Sequence, residues 1–127
     1  MTKKEKISYF EKRVNYYFFD FFKLQHFELH IFRKDDDDSR GSSGWHAWDV
    51  GAGQVSIFYN KEWIADKETL NNEIDKVAFH EVCECLLSEL NELIRTRFID
   101  ENIIAHAIHR VIRTLEGTVY PLIKKGK

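Results

Sequence analysis

The chain has 127 residues, 43% hydrophobic and 14% aromatic, which suits one domain with its own core and no need of disulfide staples. Its 19 basic and 21 acidic residues leave a formal net charge of −2, no excess that would draw it to nucleic acid or to an anionic membrane. No apolar run approaches the length of a membrane span, and the basic residues 1–6 lead into an amphipathic stretch rather than a signal-peptide core, so a soluble, cytosolic protein is expected.

Along the chain, Ile7, Phe10, Val14, Tyr17, Phe18 and Phe21 recur at intervals of three and four and predict a helix over 5–22. Phe27, Leu29 and Ile31 then alternate with Glu28, His30 and Phe32, which predicts a half-buried strand over 27–33. Four acids, Asp35 to Asp38, open a Gly/Ser-rich stretch over 35–44 that reads as a mobile loop. It lacks the alternating ligands and closing Glu of an EF-hand calcium loop. Residues 45–50 and 54–59 predict two further strands around a Gly51-Ala52-Gly53 turn. His26, His30 and His46 read as ordinary strand and loop residues. Trp45, Trp48 and Trp63 read as core, with a partner surface as the alternative.

A long helix is predicted over 69–95 from Leu70, Ile74, Val77, Ala78, Val82, Cys85, Leu86, Leu90 and Leu93. Cys83 and Cys85 lie about 200° apart on it, so they cannot pair and read as free thiols in a reducing compartment. Asp100 is the expected N-cap of a last helix over 101–116, with Ile108, Val111, Ile112 and Leu115 facing the core and Gly117 as its stop. Residues 118–127 are left as a tail. The expected fold is a single α+β domain over 1–127: a helix, a small three-stranded antiparallel or mixed sheet, then two packed helices.

Two segments carry chemistry. Within Val77-Ala78-Phe79-His80-Glu81-Val82-Cys83-Glu84, His80 and Glu84 are one helical turn apart, so both can reach one metal ion at about 2 Å. Glu81 is rotated from the pair and can address a water on that metal without ligating it. This is the geometry of a His-Glu-x-x-His helix with Glu in place of the second His. The second segment runs from His106 to Glu116, on the neighbouring helix, and offers His109 or His106 as a third ligand. The side of His106 is shared with Arg110 and Arg113, which favours His109.

Residues 77–116 resemble the zincin-like metallopeptidases of tailed bacteriophages, which join a helical His-Glu-Val-x-Glu signature to a later helix with a His followed by Leu-Glu. That resemblance implies a zincin-like fold and a zinc-dependent hydrolase, with zinc as the one cofactor. It implies His80, Glu84 and His109 as metal ligands, Glu81 as general base and Glu116 as outer support of the site. It further implies a peptide or protein substrate and action in the host cytoplasm. Gln54 to Tyr59 is the candidate strand for pairing with a peptide. A zincin-shaped protein that binds a host or phage partner without turnover is the alternative. The carboxylate helices of nucleotide pyrophosphohydrolases and di-iron bundles fit worse, since neither a Glu-x-x-Asp partner nor Glu-x-x-His pairs occur.

Overall fold

A computed structural model describes residues 2–34, 44–49, 53–66, 68–94 and 100–125. The first helix, α1 (Lys3–Asn15), opens on a reciprocal cap. Thr2 Oγ1 accepts from the Glu5 N–H at 3.2 Å, and the Glu5 carboxylate accepts from the Thr2 N–H at 3.4 Å. The chain continues as a π-helical segment, Tyr16–Phe21. Phe10, Val14, Phe18 and Phe22 are all buried and fall every fourth residue. That interval drifts around an α-helix, and the wider π-helical turn offsets the drift and keeps the later aromatics on the core side.

Strands β1 (Glu28–Lys34), β2 (Gly44–Asp49) and β3 (Gln54–Asn60) form one mixed sheet in the order β1-β3-β2. β1 runs parallel to β3, with Leu29 opposite Val55 and Ile31 opposite Ile57. β2 runs antiparallel to β3, with Trp45 opposite Phe58 and Trp48 opposite Val55. Val55, Ile57 and Tyr59 send the inner face of β3 into the core, which also takes Leu24, Phe27 and Ile64. Phe32 and Phe58 stack on the other face, with ring centroids 5.4 Å apart. The expected loop over 35–44 lies outside the described residues except for Gly44, which already belongs to β2. Of the predicted Gly-Ala-Gly turn only Gly53 is described, and its φ of +69° is the left-handed conformation that suits glycine there.

A short helix, α2 (Lys61–Ala65), starts on Asn60, whose Oδ1 accepts from the N–H groups of Glu62 and Trp63. The predicted long helix is two helices, α3 (Asn71–Leu86) and α4 (Ser88–Ile94). The break falls at Leu87, where the buried Ser88 hydroxyl donates to the Cys85 carbonyl at 2.7 Å and competes with the helical ladder. Ile74, Ala78, Val82 and Cys85 bury one side of α3 against α1 and the sheet.

The last predicted helix is α5 (Glu101–Thr118), and the Asp100 carboxylate caps it by accepting from the Asn102 N–H at 2.7 Å. It runs past Gly117, and the expected tail is helical as α6 (Tyr120–Lys125). Pro121 sits in the first turn of α6, where its missing N–H costs no helical bond. α5 packs on α4. Ala107 is its one buried residue among those described, while Ile108, Ile112 and Leu115 are each about two-fifths exposed. The expectation that these three face the core is therefore corrected. The helix approaches its neighbour through a small side chain, and its large apolar residues are left at the surface.

Candidate metal centre

The helical repeat sets the three residues of α3 in different environments. His80 lies opposite the buried stripe and its side chain is 67% exposed, although apolar residues flank it in sequence. Glu84, one turn on, is less exposed, and its Oε1 lies 3.6 Å from His80 Nε2. Two donors about 2 Å from one tetrahedral ion are separated by about 3.3 Å. The pair thus stands close to the spacing a shared zinc ion requires, on a face open to solvent.

Glu81 is turned the other way. The residue is 4% exposed and its Oε2 is shielded from water. Its charge is felt by Cys85, whose thiol is pushed up to about 12, first by burial and then by the nearby Glu81 and Glu84 carboxylates. Cys83 is raised as well, mainly by burial. Both cysteines are free, as their spacing requires.

The histidines of α5 do not join this group. His109 is exposed, and its Nδ1 lies 2.7 Å from the carbonyl of Ala105 in its own helix. In the tautomer that donates from Nδ1, the lone pair of Nε2 is presented outward, the state in which metal-binding imidazoles are commonly held. His109 lies two positions after Ala107, which is about 200° around the helix, so the contact that seats α5 on α4 points His109 away. His106 is exposed too, with Nε2 3.3 Å from Arg110 Nη2. Glu116 is exposed and borders a small apolar groove with Ile112, Leu115, Val119, Tyr120 and Ile123. Among the described residues no three His, Cys, Asp or Glu side chains stand together as a metal site. The structure brings His80 and Glu84 together and leaves His109, His106 and Glu116 apart from them.

Comparison with protein-family models, with curated proteins and with solved structures gave no match.

One expectation about the sheet is overturned. Residues Gln54 to Tyr59 lie in the central strand, hydrogen-bonded on both sides, and offer no free edge for a peptide. Among the described residues the edges are β1 and β2. Of these, β2 packs against α3, the helix of His80 and Glu84.

A cationic cluster is not legible in the sequence. His26, which reads as an ordinary residue, lines a cavity with Lys23, Arg110 and Arg113. The only signal was the placement of Arg110 and Arg113 three residues apart on one side of α5. Nothing in the sequence brought the turn at Lys23 to that side.

Proposed function

We propose that α3 is the metal-binding helix of a zincin-like, zinc-dependent metallopeptidase of phage type. The observation that carries this reading is the pair His80 and Glu84, held one turn apart with Nε2 and Oε1 3.6 Å from each other. Buried Glu81 adds support: removing a carboxylate from water is costly, and charged groups retained at such positions concentrate at functional sites.

The residues present fit zinc in part. His80 and Glu84 supply two donors of the right chemistry, and the outward Nε2 of His109 would supply the third. Reaching the pair requires α5 to move relative to α3. Bound zinc would polarise a peptide carbonyl and acidify its own water. Glu81 is the proton carrier in this reading, and it must leave its buried position to serve. The β2 edge, beside α3, would hold an extended substrate by backbone pairing.

The test is elemental analysis of protein purified without chelator. One zinc per chain, lost in His80→Ala, is expected; protein that holds none and takes up none would end the proposal.

A second reading is a zincin-like protein that binds a host or phage protein without turnover. It is favoured by the exposed Ile108, Ile112 and Leu115 on α5, continued by Tyr120, Leu122 and Ile123 on α6. Glu81→Gln separates the two, since a peptidase loses hydrolysis and a binder keeps its partner.

A further inference from the structure

A cavity of about 540 Å³ lies between α5 and the turn that follows the π-helical segment. It is separate from the residues of the proposed metal site. One wall is Phe22, Lys23 and His26, and the other is a stretch of α5 from Arg110 to Thr118. Among the described residues none of the lining is acidic. Glu89 stands behind Arg110, accepting from its Nη1 at 3.0 and 3.2 Å, and holds the guanidinium in place. Among the described residues, neither Lys23 nor Arg113 has a carboxylate partner.

The turn itself is costly. Lys23 has a φ of +56°, a left-handed conformation that side chains other than Gly, Asn and Asp rarely adopt. Hydrogen bonds from Phe22 N–H to the Tyr17 carbonyl and from Leu24 N–H to the Phe18 carbonyl fix it. The fold thus holds a cationic side chain where glycine would be easier, and that side chain lines the cavity.

We propose that this cavity binds a small phosphate monoester, with Lys23, Arg110 and Arg113 around the phosphate and the organic group over Phe22, which is buried but for the 4% of its surface that borders the cavity. Lys23, Arg113 and Arg110, the last with its charge partly offset by Glu89, still leave an excess of positive charge that matches a dianion better than a single carboxylate, and planar guanidinium groups suit phosphate oxygens. The hydroxyls of Thr114 and Thr118 donate to carbonyls of their own helix, so recognition falls to the cations. His26 is pushed towards the neutral form, first by burial and then by the charge of Arg110, with the Glu89 carboxylate opposing in part. The space, about 540 Å³ and open to solvent on one side, has room for a small molecule.

Amide chemical shifts of the full chain, followed by NMR, test this with phenyl phosphate, inorganic phosphate and phenol as probes. Phenyl phosphate at millimolar concentration should shift Lys23, His26, Arg113 and Gly117 saturably, inorganic phosphate should bind the same residues more weakly, and phenol should not bind. Lys23→Gln and Arg113→Gln should each weaken phenyl phosphate about tenfold, the loss of one charge-assisted contact. Gly117 borders the cavity, and a Cβ there meets nothing within 4 Å. Gly117→Leu should therefore project into the space and weaken binding about tenfold or more while leaving the helix at least as stable. The absence of saturable shifts with either phosphate would overturn the proposal. So would binding that survives all three variants. Equal affinity for inorganic phosphate would remove Phe22 from the site. Tighter, length-dependent binding of a single-stranded oligonucleotide would replace the small ligand with a polymer. None of these outcomes depends on zinc or on hydrolysis.

Discussion

Arg13 on α1 and Asp75 on α3 form an ion pair, Nε to Oδ1 at 2.5 Å, and the hydroxyl of Tyr17 lies 2.9 and 3.0 Å from the two oxygens of the same carboxylate. This cluster joins the two helices five residues before His80. The carboxylate raises the affinity of Arg13 for its proton, mainly through their hydrogen bond. Both partners are about 30% exposed, so solvent screens part of the attraction.

Asp75→Ala is expected to cost about 1–3 kcal/mol, because it removes a charged acceptor shared by two donors. Urea denaturation measures it. Tyr17→Phe should cost less, about 0.5–1.5 kcal/mol, since Arg13 keeps the carboxylate. Equal losses would show that the tyrosine and not the ion pair holds α1 to α3.

Metal affinity should divide the histidines unequally. His80→Ala and Glu84→Ala are each expected to abolish zinc binding measured by competition with a chromophoric chelator. His109→Ala should lower affinity by about 100-fold or more and His106→Ala by less than tenfold, as expected for a ligand against a bystander. The reverse order would assign the third position to His106, and no loss with either would mean that the donor comes from elsewhere.

Stability should fall in alkali through Cys85. Its folded value of about 12 lies above the unfolded value of 9.0, so the protonated thiol is the form the fold favours. That contribution is complete below pH 9 and is lost as pH rises towards 12, at up to about 1.4 kcal/mol per pH unit. Tyr17 and Tyr59, both raised mainly by burial, add losses of the same sign above pH 10. Cys85→Ala should be less stable at neutral pH for lack of packing, and its denaturation midpoint should change less between pH 8 and pH 10.5 (~1.5 units past the unfolded thiol value). An unchanged slope would place the alkaline loss in the tyrosines alone.

The apolar stripe of α5 should tolerate polar substitution. Ile108→Ser with Ile112→Ser should change folding stability by less than about 1 kcal/mol, because neither residue is buried. The same pair should reduce binding of an environment-sensitive apolar dye. A large loss of stability would show that this face is covered in the folded molecule.

The sequence by itself determined most of the elements and much of the core, but not the break at Leu87, the π-helical segment or the short helices α2 and α6. Phe10, Val14 and Phe18 recur at helical spacing and are buried; Val55, Ile57 and Tyr59 alternate and are buried. Asp100 was legible as a cap because a short acceptor before an apolar periodic run satisfies free N–H groups wherever it occurs. The one-turn pairing of His80 with Glu84 was legible for the same reason, since it depends only on local helical geometry. What lay between elements was decided by tertiary structure. β3 became the central strand because β1 pairs with it in parallel, a non-local choice that alternation cannot encode. Glu81 went inward because the stripe around Val82 and Cys85, seated on α1 and the sheet, is wide enough to include it. His109 went outward because α5 meets α4 through Ala107. Periodicity shows that a helix has an apolar side, but the direction in which a neighbour lies is set by packing, and that direction decided which side chains could meet.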